Sequence, residues 1–193
     1  MENDHLTLFF KFPIMKYSII VLAILFAPLS FSQSMKDFFS NKTQVVLLGL
    51  DFSQAKFIGK DGFASPDGLK NHAIKGWNRF FATEPGKYSL QEALGLSDKY
   101  YYNSINYFIK QNDELVDQYK CITDEPYTLT EDQIVSTISA YAPFEKQGLA
   151  ISFLVESFDK TNSEANIWVV FLSLPSNEII YKQKMKGTPG GAG

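Results

Sequence analysis

The chain has 193 residues, with 18 Lys and Arg against 21 Asp and Glu, two His, and a formal net charge of -3. A mildly acidic chain without a basic block is a poor nucleic-acid ligand, because that affinity comes from neutralising phosphates. Its one cysteine, Cys121, excludes an internal disulfide, so stability must come from a core that 17 Phe, 10 Tyr and 2 Trp can supply.

At the N-terminus, Tyr17 to Leu29 is an almost unbroken apolar run preceded by Lys11 and Lys16 and followed by Ser30, Phe31 and Ser32. That order is the charged, apolar and small-residue signature of a secretory signal. A span would need about 20 apolar residues, and this run is shorter and carries Pro28 near its end. The expected cleavage lies after Ser32, and Met15 is a second candidate start, since Met15 to Ser32 is already a complete short signal. No cysteine lies at the cut, so a lipoprotein is not expected.

Residues 1–32 hold Lys11, Lys16, Glu2 and Asp4, so their removal leaves the net charge unchanged. The remaining 161 of 193 residues make one domain, 33–193, able to bury roughly 70% of its unfolded surface.

Residues 33–43 read as a polar lead-in. Gln44 to Phe52 (QVVLLGLDF) is too continuously apolar for a half-exposed strand and too short for a typical helix, so it predicts a strand buried on both faces. Ser53 to Ser65 reads as a loop. Ser65, Pro66 and Asp67 form a helix start. Leu69, Ala73, Trp77, Phe80 and Phe81 then mark one apolar face, with the helix ending near Thr83.

Ser89 and Glu92 make a capping box for a second helical stretch, interrupted at Gly95 and resuming through YYYNSINYFIKQ with Tyr101, Ile105, Phe108 and Ile109 on one face. Thr130 and Gln133 cap a third helix, with Ile134 and Ile138 inward and an end before Pro143.

From Gly148 the period changes to two. Leu149, Ile151, Phe153 and Val155 alternate with Ala150, Ser152, Leu154 and Glu156. Residues 159–163 read as a turn, Ala165 to Leu174 as a second strand, and Glu178 to Lys186 as a third. In that third strand Ile179, Tyr181 and Met185 oppose Lys182, Lys184 and Lys186, and the lysine side is expected to be wet. Together these predict an α/β or α+β layered domain: a mixed sheet with a C-terminal three-stranded antiparallel meander and helices on at least one face. The closing Thr-Pro-Gly-Gly-Ala-Gly has no core-forming residue, and the native product is expected to continue past it.

Candidate chemistry is sparse. His72 is the only histidine after residue 32 and no G-x-S-x-G elbow accompanies it, so a zinc site or a serine triad has no set of residues to use, and no metal or cofactor is implied. Asp51 is the strongest carboxylate, because ligands collect at the carboxyl ends of strands in open α/β sheets. Lys56 and Asp61 in the following segment are its candidate partners; otherwise Asp51 caps its own turn.

Tyr100, Tyr101 and Tyr102 could stack on a sugar or a partner, which makes Tyr100 a binding candidate alongside Lys56 and Asp61. Residues 160–164 lack the spaced acids of an EF-hand and read as a hairpin turn. Gly59 and Gly62 are no phosphate loop, and Cys121 reads as a small buried hydrophobe.

SFSQS, LGLDFSQAKFIG, WNRFF, KYSLQEAL and NEIIYKQKMKG together resemble small exported proteins of Gram-negative bacteria with no assigned function. This resemblance spans most of residues 33–193 and implies an envelope location. The closing WVVFLSLPSNEIIYKQKMKG is similar, in topology, to the α/β domain of curli-secretion and penicillin-binding-protein activator lipoproteins, whose anchoring cysteine is missing here. The sequence thus leads to a periplasmic or secreted non-enzymatic module whose partner is another envelope protein or a polysaccharide. The alternative is a small hydrolase using Asp51.

Overall fold

The computed structural model of the protein describes residues 35–63, 65–84, 86–115 and 121–188. The expected export signal and the expected continuation past the closing residues lie outside them. Among the described residues no helix is long and apolar enough to cross a membrane.

The fold is mixed α/β with a parallel sheet core. A short helix α1 (Met35–Phe38) leads to β1 (Val45–Asp51), whose aliphatic run is buried as expected. Parallel to β1 runs β5 (Gly148–Asp159), and β2 (Lys56–Ile58) continues beside the far half of the same strand. Expected as loop, Ser53 to Ser65 therefore contains a strand. Three residues are too few to show a period, and what holds β2 in extended form is its position between β5 and β4 (Ile122–Thr123).

The opposite edge of β1 pairs in parallel with β3 (Tyr101–Asn103). This corrects the expected helix through the three tyrosines, and α4 instead begins at Asn106 and runs to Leu115. Helical spacing and strand alternation fit the short stretch equally well, and the open edge of β1 selects the strand, taking Tyr100 O as acceptor for Val45 N at 2.7 Å.

On its other side β5 pairs antiparallel with β6 (Glu164–Leu174), and β6 with β7 (Glu178–Gly187). The expected meander is therefore seen in part: its first strand belongs to the parallel core. That position also explains why β5 is buried on both faces, Ala150, Ser152, Leu154 and Glu156 included. Helices cover both faces of the sheet, so alternation there separates two cores and not core from water.

One face packs Val46, Leu48, Ala150 and Leu154 under Phe108 of α4 and Ile134 and Ile138 of α5 (Glu131–Ser139). The capping box expected for α5 is formed by Thr130 and Gln133, and burying its two isoleucines contributes about 2 kcal/mol each. The other face packs Val45, Leu149 and Ile151 against Phe38 and Leu96. Further along it, Phe57 and Val155 meet Leu69 and Ile74.

The helix starting at Ser65 and Pro66 is broken in register. After an α-turn (Pro66–Gly68), Leu69–Ile74 is π-helical, and only then does α2 (Lys75–Thr83) follow. A wider π turn resets the 3.6-residue period, which overturns part of the expected face: Phe80 is exposed and Asn78 fully buried. A short α3 (Leu90–Ala93) follows, capped by Ser89.

The expected faces of β7 hold only at its ends, where Ile179 packs against the core and Lys186 is exposed, and are reversed between them. Lys182 and Lys184 are drawn in by ion pairs to Glu131 at 2.5 Å and Glu156 at 2.6 Å, whereas Tyr181 and Met185 are 43% and 57% exposed. Long aliphatic stems let these lysines cover apolar surface while their ammonium groups reach carboxylates.

Candidate functional site

Asp51 ends β1 where the strand gives way to β2, and it is 1% exposed. One carboxylate oxygen accepts the Ser53 backbone N–H at 2.8 Å, the turn cap expected of it. Its other oxygen accepts the Tyr141 hydroxyl at 2.9 Å, and that hydroxyl also lies 2.9 Å from Ser152 Oγ. The sequence-expected partners are elsewhere: Asp61 is exposed on the 3-10 turn Lys60–Gly62, and Lys56 sits on β2 with its ammonium 5.7 Å from the centre of the Tyr127 ring.

Burial is the largest influence on the Asp51 carboxyl and pushes its pKa up, opposed by the hydrogen bonds from Ser53 and Tyr141. Burial likewise holds the Tyr141 phenol well above its ordinary value, with the neighbouring Asp51 charge adding to the effect. The Ser53 hydroxyl is buried beside this cluster without a well-aligned hydrogen-bond partner among the described residues. What forms is a polar knot joining β1, β5 and the end of α5.

Two asparagines close the sheet edge beside Asp51. Beyond β3, Asn78 of α2 accepts from Leu50 N at 2.8 Å and donates to Leu50 O at 2.9 Å. Asn112 of α4 donates to the same carbonyl at 2.9 Å and accepts from Phe52 N at 3.0 Å. A side-chain amide carries the same donor and acceptor as a peptide, so these two stand in for a missing strand. Gly49, with φ +103°, is required here, since a Cβ would lie 2.4 Å from Asn78 Oδ1.

A second buried carboxylate, Glu156, accepts from Leu129 N at 3.1 Å, Trp168 Nε1 at 2.9 Å and Lys184 Nζ at 2.6 Å. Fully bonded, it ties β5, β6 and β7 to the segment before α5.

The three tyrosines separate as a strand requires. Tyr100 is half-buried under the Lys99 ammonium, 5.1 Å from its ring centre. Tyr101 enters the core beside Val45 and Leu149, where burial raises its phenol to about 12. Tyr102 is 40% exposed, with Lys146 Nζ 3.9 Å from its ring centre. His72 is exposed, Cys121 is buried with burial raising its thiol pKa, and no group of three metal-ligating residues occurs among the described residues.

Among the described residues, clefts with room for a ligand lie away from Asp51. A cleft of about 610 Å³ opens between the π-helical segment's continuation α2 and the β5–β6 turn, lined by Phe63, Trp77, Phe158, Lys160, Glu164 and Ala165, with Gly187 at its edge. Its floor is aromatic: Trp77 lies 5.0 Å from Phe158, and the buried Phe57 beneath is 5.9 Å from Phe158, at an angle of 12°, and 6.2 Å from Trp77. A second cleft, of about 500 Å³, is lined by Phe81, Tyr88, Tyr101 and Asn103 among others and is more polar. The sequence marked Trp77 only as helix face and residues 160–164 only as a turn. Nothing local could have joined them, because they come from segments some 80 residues apart.

No protein-family model, curated protein or solved structure matches the chain, so what these sites do is argued from their geometry.

Proposed function

We propose that the protein is an exported, non-enzymatic binding module of the bacterial envelope that holds an apolar group of another envelope component in the cleft over Phe63, Trp77 and Phe158. The observation that carries this reading is the cleft itself. At about 610 Å³ it falls within the usual size of ligand sites, and it leaves three aromatic side chains partly open to solvent. Aromatic rings of this kind combine large contact area with few rotatable bonds and anchor most binding surfaces. Export is supported by the N-terminal signal pattern and by the resemblance to small exported proteins.

The hydrolase alternative draws on one observation, the contact between Asp51 and the titratable Tyr141. A general acid or nucleophile must reach its substrate. Asp51 is 1% exposed, both its oxygens already accept hydrogen bonds, and neither cleft is lined by it. Its bonding supports a structural role.

The test is capture from envelope extract with the wild-type chain and with Ala165→Leu, which fills the cleft from β6. A component retained by the first and lost from the second supports the reading. Recovery of the same material by both, or of nothing by either, overturns it.

A further inference from the structure

We infer that the ligand of the cleft over Phe63, Trp77 and Phe158 joins a flat aromatic ring to an anionic group, the ring lying on the aromatic floor and the anion meeting Lys160. This rests on the reading of the cleft as a binding site and names the chemistry it selects.

The ring part follows from the floor. Trp77 and Phe158, which line the cleft, form a triangle with the buried Phe57 beneath them, the ring centres 5.0–6.2 Å apart and the planes inclined by 12–33°. Phe52 joins its base, 5.6 Å from Trp77 and inclined by 28°. A planar apolar group can lie offset against the partly open rings of Trp77 and Phe158 over their whole area, whereas a branched aliphatic group would touch them at fewer points.

The anion part follows from the charges at the rim. Asp159 is committed: it accepts from Asn162 N at 3.0 Å and from Asn162 Nδ2 at 2.8 Å, bonds that hold its carboxyl below the usual range. Glu164 is committed too, to Lys186 and Asn166, and its pKa is lowered chiefly by Lys186. That leaves Lys160. Its ammonium has no carboxylate partner among the described residues and lies 4.7 Å from the Phe63 ring centre, at the cleft's edge. Its stem crosses Gly62, where a Cβ would come 2.4 Å from Lys160 Cδ, so the absent side chain at 62 leaves room for this placement. A cation held over a ring by the weaker attraction to its π face is available to an anion that docks beside that ring.

The experiment titrates the full-length protein with 2-naphthoate and with its neutral counterpart 2-naphthylmethanol, following the indole N–H signals by NMR. Trp168, bonded to Glu156 away from the cleft, is the internal control. The expected result is that both probes shift Trp77 and leave Trp168 in place, and that the carboxylate binds about fivefold tighter, the order expected of one partly exposed ion pair. Lys160→Gln should bring the two affinities together, and Lys160→Arg should restore the difference. Because Lys160 is exposed, neither change threatens the fold. Equal affinity of the two probes for the wild-type protein overturns the inference about the anion while leaving the cleft as a binding site. A Trp77 signal moved by neither probe overturns both.

Discussion

Replacing Asp51 by asparagine should be tolerated, and replacing it by alanine should not. The carboxylate accepts two hydrogen bonds in a place closed to water. An asparagine can keep both contacts, with Oδ1 accepting from Ser53 N and Nδ2 donating to the Tyr141 hydroxyl, which then donates to Ser152. Alanine strands the Ser53 N–H and leaves a small void, while Tyr141 retains Ser152. A stranded buried donor costs about 1–3 kcal/mol, so Asp51→Ala should lose about 2 kcal/mol and Asp51→Asn well under 1 kcal/mol at pH 7.

The pH dependence gives a sharper discrimination. Burial raises the folded-state pKa of Asp51 above its unfolded value of 3.8, so the folded state keeps this proton after the unfolded state has released it. Stability from this group is therefore highest at acid pH, falls as pH rises from the unfolded pKa through the folded one, and is level above that. Asp51→Asn removes the fall. Urea unfolding followed by circular dichroism at pH 4 and pH 7 should show the stability of Asp51→Asn gaining on wild type as pH rises. An asparagine variant as damaged at pH 7 as the alanine variant would refute the argument, because the site would then require the anion itself.

Asn78→Ala should cost about 2 kcal/mol, since it strands the part-buried Leu50 N–H and empties the fully buried space of an amide. Gly49→Ala should also destabilise, but the two losses should be less than additive, because removing Asn78 Oδ1 relieves the 2.4 Å approach that the new Cβ makes; chemical denaturation of the two single variants and the double variant measures this coupling. Lys184→Met should cost about 2 kcal/mol by leaving the buried Glu156 carboxylate only neutral donors, a figure reduced for the partial exposure of Lys184. Adding Glu156→Gln should recover most of that loss in the same assay.

Several elements were legible from local chemistry alone. The buried run of β1, the Ser65 cap and the Thr130–Gln133 capping box depend on groups within a few residues of each other, and they form as read. The turn at residues 159–163 is equally local, with Asp159 binding Asn162. Asp51 as an N–H acceptor for its own turn was readable for the same reason.

What the tertiary structure decided depends on distant neighbours. Tyr101 to Asn103 is strand because β1 offers an open edge, and Phe80 is exposed because a π segment shifts the helix's period. Lys182 and Lys184 of β7 turn inward because Glu131 and Glu156 await them. Tyr141 meets Asp51 across 90 residues of chain, and Trp77 meets Phe158, and shares a cleft with Lys160, only where α2 packs on the end of β5. Composition and periodicity state which groups want burial or a partner. Only the packed sheet brings a particular partner within the 3 Å or so at which a hydrogen bond forms.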